Sequence, residues 1–251
     1  MEFIKSKENK LYKTIKKLKT RKYREKERLF IAEGHKFLDF KEIPWAVILK
    51  EGDDRYRDKA EEFMCPKYLF SESLFNEISS QENSQGIILI YPMGESSTES
   101  IGDNIVVLDR IQDPGNLGTI IRVADAAGYK DIVLLKGSVD VYNEKTVRSS
   151  MGSLFNMNFI YMEEDELIKF IAKKGYKSTA TALREDAVSY TAILPGSKNA
   201  IIFGNEGQGV SERILEASDS KVIIPIYGSA ESLNVAVAAG IVLYKFRELL
   251  V

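Results

Sequence analysis

Leu108-Asp109-Arg110-Ile111-Gln112-Asp113-Pro114-Gly115-Asn116-Leu117-Gly118-Thr119-Ile120-Ile121-Arg122 is the stretch whose reading decides the fold. It follows an apolar run from Ile105 to Leu108 that reads as a buried strand. Asp113, Pro114, Gly115 and Asn116 make a turn, and an apolar run of helical character continues from Leu117 to Ala127. Ligands in open α/β sheets sit where a strand ends in such a turn and feeds a helix. Two polar groups there lack a simple structural reason. Asn116 stands at the turn. Arg122 lies between Ile121 and Val123 in an otherwise apolar helix, so it is expected to reach back toward the strand ends or to pair.

Two later stretches repeat the pattern. Ala200-Ile201-Ile202-Phe203 runs into Gly204-Asn205-Glu206-Gly207-Gln208-Gly209, and Ser211, Glu212 and Arg213 make a helix start. The glycine spacing matches neither a dinucleotide fingerprint nor a P-loop, and no Lys-Ser/Thr follows. A carboxylate in the loop disfavours phosphate and suits a loop that offers backbone N–H and C=O groups to a neutral or cationic ligand. The third strand, Val222-Ile223-Ile224, ends at Pro225. After a polar loop, Ser232 or Asn234 opens a long Ala/Val-rich helix reaching about Glu248.

Together these stretches resemble the SpoU (TrmH-like) family of RNA ribose 2′-O-methyltransferases within the SPOUT superfamily. The family's three motifs stand here as Asn116-Leu117-Gly118 with Arg122, as Gly204 to Gly209, and as Pro225 with Ser232-Leu233-Asn234. Lys145 to Ser153 is also similar to the family. Ala236 stands where many relatives carry Ser. The resemblance covers residues 104 to 251 and implies a knotted α/β methyltransferase domain, a homodimer and S-adenosylmethionine as methyl donor. It further implies that Arg122, Asn116, Glu206 and Asn234 do the chemistry. Ala180, Thr181, Gly204, Ile224 and Leu233 would line the cofactor pocket, and Ser232 and Arg148 would contact RNA phosphates. A guanidinium stays cationic at physiological pH, so the family's proposed base is read here as a group that acidifies the 2′-hydroxyl or clamps a phosphate. The long Ala/Val-rich helix from Leu233 is the candidate dimer interface.

Residues 26 to 91 alternate short strands and helices: strands at Leu29–Ala32, Ala46–Leu49, Tyr68–Phe70 and Ile87–Tyr91, helices at Lys59–Phe63 and Ser71–Ile78. Leu29 to Gly34 and Gln85-Gly86 resemble the L30e-like substrate-binding domain of ribosomal-RNA members of the family. Pro92 to Ser100 is polar and non-periodic, as a linker is. The expected organisation is a small N-terminal RNA-binding α/β domain over 1–92, a linker over 93–103 and the methyltransferase domain over 104–251. Strands at Ile132–Leu135, Phe155–Tyr161 and Tyr176–Thr181, with helices at Glu144–Ser149 and Glu164–Lys174, make the second domain an α/β alternation around a mostly parallel sheet.

Charge is uneven along the 251 residues. Residues 1 to 28 hold twelve Lys or Arg against four Glu, a net +8, whereas the whole chain carries −2. A basic block of this kind suits phosphate contact. Lys16, Lys17, Lys19, Arg21 and Lys22 are its candidate RNA contacts, and Leu11, Ile15 and Leu18 give it a helical period. With one Cys and one His, the chain is expected to use no disulfide, no zinc site and no His-dependent triad. No apolar run approaches the length of a membrane span. No signal peptide is read, and a cytoplasmic protein is expected. Ribosomal RNA is favoured as substrate. The alternatives are transfer RNA, or a non-catalytic RNA-binding protein of the same fold.

Overall fold

A computed structural model describes residues 1–250. In chain order the elements are β1 (Glu2–Ile4), α1 (Lys10–Lys17), α2 (Arg21–Glu27), β2 (Leu29–Glu33), β3 (Ala46–Lys50), α3 (Arg57–Glu61), β4 (Lys67–Phe70), α4 (Glu72–Ile78) and β5 (Ile87–Pro92). There follow β6 (Asn104–Asp109), α5 (Pro114–Ala126), β7 (Asp131–Leu135), α6 (Glu144–Ser150), β8 (Asn158–Met162), α7 (Glu164–Lys174) and β9 (Lys177–Thr181). The chain closes with β10 (Val188–Ser189), β11 (Asn199–Gly204), α8 (Glu212–Ala217), β12 (Ser220–Ile223) and α9 (Val235–Leu249). It forms two compact units. One comprises Met1–Gly94 with Asp140–Phe155, the other Glu95–Val139 with Asn156–Val251.

The first unit is built on a five-stranded mixed sheet in the order β1-β4-β3-β5-β2. The basic N-terminal block belongs to it as folded structure. Asn9 caps α1 by accepting from the N–H groups of Leu11 and Tyr12. Tyr12, Ile15 and Leu18 are buried in the same cluster as Ile48, Phe70 and Phe75. The helical period of the block is realised as two helices, with Thr20 at the start of the second, and α2 ends at Arg28 in the left-handed region with φ 56°. The segment after β7 packs here too. Phe30 lies 4.8 Å from Tyr142 between ring centroids, and Tyr91 lies 4.8 Å from Phe155. Phe155, expected to begin a strand, sits instead in a short 3-10 turn, and β8 starts at Asn158.

The second unit holds a seven-stranded sheet in the order β10-β12-β9-β11-β6-β7-β8, parallel throughout. Its central strands are fully buried, as parallel sheets require. Register places Gly204 beside Asp109 and Ile202 beside Ala180. Val222 of β12 lies beside Thr181 in the same way, so the loops leaving β6, β11 and β12 emerge at one edge, where the three quoted motifs meet. α9 packs against α5, and Gly240 in α9 comes close to Val123 in α5.

Candidate active site

At that edge opens a cleft of about 690 Å³, lined by backbone and side chains of all three motif loops. Local folding explains each wall. Asp113 accepts from the N–H of Asn116 at 2.8 Å and so caps α5, with Pro114 in its first turn. Gly204 has no room for a side chain: a Cβ there would lie 2.0 Å from the nitrogen of Val210. The loop it carries is a closed hairpin. Asn205 and Gly209 exchange backbone hydrogen bonds at 3.0 and 2.9 Å. Oδ1 of Asn205 accepts from the N–H groups of Gly207 and Gln208 at 2.9 and 3.0 Å, and its Nδ2 donates to the carbonyl of Arg110 at 2.9 Å. Asn234 caps α9 by accepting from Ala236 and Val237, which decides between the two expected starts of that helix.

The polar residues form a relay across the three motifs. Nδ2 of Asn234 donates to Oδ1 of Asn116 at 2.8 Å. Nδ2 of Asn116 donates to Oε1 of Glu206 at 3.0 Å. The Glu206 carboxylate also accepts from the backbone N–H groups of Gln112 and Asp113, each at 3.1 Å. Burial pushes the Glu206 carboxyl up, but the hydrogen bonds from Asn116 and from backbone N–H groups outweigh it and hold it below the usual carboxylate range. The relay thus presents an ionised carboxylate and two oriented amides at the rim of a cleft whose walls are part apolar and part polar.

The expected site residues fall into three groups. Asn116, Glu206, Asn234, Thr181, Gly204, Ile224, Ser232 and Leu233 all line the cleft. Ala180 is fully buried one residue behind Thr181 and does not face it. Arg122 is exposed on α5 and lines no part of the cleft, with no partner among the described residues. It follows Asn116 by six positions, so its side chain leaves the helix about 120° away from that of Asn116. In the single chain Arg122 neither reaches the strand ends nor pairs. Arg148 belongs to the first unit, where its Nη1 donates to Oγ of Ser80 at 3.5 Å. Of the basic block, Lys16 pairs with Glu77 at 2.8 Å, Lys19 donates to the carbonyl of Ser79 at 3.3 Å and Arg21 pairs with Glu25 at 2.7 Å. Lys17 lies over the ring of Tyr23, and Lys22 is exposed.

Sequence reasoning passed over several residues that shape the site. Asn205 organises the glycine loop from within. Asp109, buried at the end of β6, holds Arg110 at 2.8 Å and accepts from the N–H of Ser211 at 2.7 Å, fixing where α8 begins. Arg184 lines the cleft and pairs with Glu212. An Asn within a glycine loop and a buried carboxylate at a strand end were the available signals. Among the described residues no cluster of His, Cys, Asp or Glu could hold a metal ion, and no helix is long and apolar enough to cross a membrane.

Residues 103–244 match the SpoU rRNA Methylase family, and residues 9–89 match the MRM3-like substrate binding domain. The chain is 38% identical to the 23S rRNA (guanosine(2553)-2′-O)-methyltransferase RlmP of Bacillus subtilis, over 98% of this chain and all of that protein. It is 33% identical to the tRNA (guanosine(18)-2′-O)-methyltransferase of Thermus thermophilus, over 57% of this chain and 73% of that one. The AdoMet-bound rRNA methyltransferase from Sinorhizobium meliloti superposes with a TM-score of 0.86 at 30% identity, covering all of this chain and 98% of that one. The mixed α/β architecture is the one these SPOUT methyltransferases share. By motif, fold and kinship alike, the chain belongs to the SpoU rRNA methylase family.

Proposed function

We propose that the protein transfers a methyl group from S-adenosylmethionine to a ribose 2′-hydroxyl of large-subunit ribosomal RNA. The observation that carries this reading is the Asn234–Asn116–Glu206 relay at the rim of the three-loop cleft. The cleft fits the donor: Leu215, Val222, Ile224, Ile226 and Leu233 offer apolar walls, and the loops offer main-chain groups for a nucleoside edge. When bound, S-adenosylmethionine supplies an electrophilic methyl group, and the reaction requires no metal. The chain's own task is alignment and proton management. Asn116 and Asn234 are held in one amide orientation by Glu206, so their remaining polar capacity points in a fixed direction toward the ribose. Arg122 would neutralise the adjoining phosphate and favour the ionised 2′-oxygen.

Ribosomal RNA is preferred over transfer RNA because a relative that matches over nearly the whole length is named for 23S rRNA, whereas the Thermus tRNA enzyme matches over only 57% of this chain. Residues 1–92 are read as the RNA-gripping domain, 93–103 as its linker and 104–251 as the methyltransferase domain. We read the working form as a cytoplasmic homodimer. Val237 and Tyr244 are about half exposed along α9, and Arg122 is exposed on the neighbouring α5. Pairing two copies through this face would cover the apolar residues and give Arg122 a route to a cleft. Mapping 2′-O-methylated sites on total RNA from cells with and without the gene tests the whole reading. Loss of one 23S rRNA site is expected. Loss of a tRNA site alone would redirect the substrate, and no lost site would remove the activity.

A further inference from the structure

The first unit carries a built cluster that methyl transfer does not use. At the end of the sheet where β2 and β3 finish and β5 begins, three loops interlock through His35, Arg55, Tyr56 and Gln85. The imidazole of His35 and the ring of Tyr56 are parallel within 3°, with centroids 5.4 Å apart, and both residues are half-buried. Oε1 of Gln85 accepts from the backbone N–H of His35 at 3.0 Å and meets its Nδ1 at 2.8 Å. The proton of a neutral His35 ring therefore sits on Nδ1, leaving Nε2 as an unspent acceptor. The Gln85 amide retains its two N–H donors. Arg55 lies over the other ring, 5.6 Å from its centroid, and is pinned by Asp53 at 2.8 and 2.5 Å and by the carbonyl of Gln85 at 3.3 Å.

Two glycines make this packing feasible. Gly86 has φ +77°, and a Cβ on it would lie 2.1 Å from Oδ2 of Asp53; Gly34 has φ +125° against Gln85. Buried Glu33 fixes the adjoining loop by accepting from Oγ of Ser79 at 2.5 Å, the N–H of Ser80 at 2.8 Å and Oγ of Ser84 at 2.7 Å. Lys19 and Arg148 flank that loop through Ser79 and Ser80. Lys36 beside His35 is exposed and has no partner among the described residues.

We propose that the His35–Tyr56–Arg55–Gln85 cluster is a binding site for one unpaired nucleobase of the substrate RNA, an inference that rests on the RNA reading above. The parallel His35 and Tyr56 rings, with the pinned Arg55 guanidinium beside them, offer a flat π surface at little ordering cost. The free Nε2 of His35 and the free amide of Gln85 supply an acceptor and a donor for a base edge. Lys36, Lys19 and Arg148 supply cations for the neighbouring phosphates. A paired base has both faces covered by its neighbours, so the ligand is a loop or bulge nucleotide. A device that served only to hold the loops would need the Gln85 bonds but not a second parallel ring left half open.

The test uses the full-length protein and an in vitro 23S rRNA transcript, with ultraviolet cross-linking and peptide mapping beside binding titrations. The cross-linked peptides should include His35 or Tyr56. His35→Ala and Tyr56→Ala should each weaken transcript binding about 10-fold and lose that cross-link, with S-adenosylmethionine affinity unchanged. His35→Phe, which keeps the ring and loses the edge, should retain most of the affinity, and it serves in place of His35→Ala if that variant melts early. Wild-type binding together with unchanged binding in both ring variants overturns this site and leaves the methyltransferase reading intact. A wild-type chain that binds the methyl donor but not the transcript overturns the RNA reading itself.

Discussion

Asn116 donates to Glu206 at 3.0 Å and accepts from Asn234 at 2.8 Å, so one amide joins residues 90 positions and 118 positions away. An amide bonded at both ends cannot flip, because reversal would set N–H against N–H and oxygen against carboxylate. Asn116→Ala and Asn234→Ala are each expected to lower the single-turnover methylation rate about 100-fold, and the double variant little further, because residues that act as a unit are non-additive. Simple multiplication of the two losses would show that the amides act separately.

Glu206 carries a pH signature. Its carboxyl is held below the usual range in the folded loop, so its contribution to loop closure is present above the unfolded value of about 4.3 and is lost as pH falls through the lower folded value. S-adenosylmethionine affinity should therefore stay level from about pH 8 to about pH 5 and decline below about pH 4. Glu206→Gln should be weaker throughout and level across the acid window. An acid decline that survives in Glu206→Gln would assign it to another group.

Arg122→Ala should leave melting and cofactor binding close to wild type, because the side chain is exposed and has no partner among the described residues, yet lower methylation by orders of magnitude. Arg122→Lys separates two roles. If the planar fork grips phosphate, Lys is nearly as poor as Ala; if charge alone suffices, Lys recovers much of the rate. If Arg122 works across a dimer, mixing Arg122→Ala with Asn116→Ala protomers should restore part of the activity that neither has alone. Wild-type turnover by Arg122→Ala removes it from the mechanism.

What the sequence disclosed and what it hid have physical reasons. Strands β6 and β11 hold continuous apolar runs ending at turn residues, and β12 leads into its turn through the apolar Val222-Ile223-Ile224, so their positions and parallel pairing were legible. The polar set at 116, 206 and 234 stood out because each follows such a run. The direction of Arg122 did not, since a cation in an apolar helix looks the same whether it faces the fold or solvent. β1, three residues long and paired only with β4, was missed because so short an edge strand has no periodicity. The packing of 140–155 with the first unit was hidden because it depends on Arg24 and Phe30, more than a hundred residues upstream of their partners, and on Tyr91, 64 residues upstream of Phe155.

The basic block is not uniformly free to meet RNA. Lys16 shares Glu77 with Tyr12 and Lys7, and hydrogen bonds from Lys16, Lys7 and Tyr12 bring the Glu77 carboxyl down to about 2. Neutralising Lys17 and Lys22 should reduce the log–log salt slope of RNA binding by roughly 0.7–0.9 for each lost phosphate contact, with cofactor affinity constant. Lys16→Ala should instead act mainly on the anchoring of α1. An unchanged slope in the Lys17 and Lys22 variants would show them to be solvated surface.

Arg24, formally part of the basic block, is 4% exposed and does structural work. Its Nε and Nη2 both donate to Oδ2 of Asp140, at 2.9 and 2.6 Å, and its Nη1 donates to the carbonyl of Leu18 at 2.8 Å. Asp140, 7% exposed, also accepts from the N–H of Tyr142. The pair thus ties α2 to the segment that carries α6 and Arg148. Removing one partner leaves the other charge buried and uncompensated, at a cost of about 3–5 kcal/mol. Asp140→Asn should therefore lower the melting temperature by roughly 10 °C in a chain of this size. Replacing both partners with apolar residues of similar volume should return melting close to wild type, because the desolvation of both ions is removed together. RNA affinity in that double variant should remain near wild type if Arg24 is purely structural, and a fall in its salt slope would assign Arg24 to phosphate contact instead.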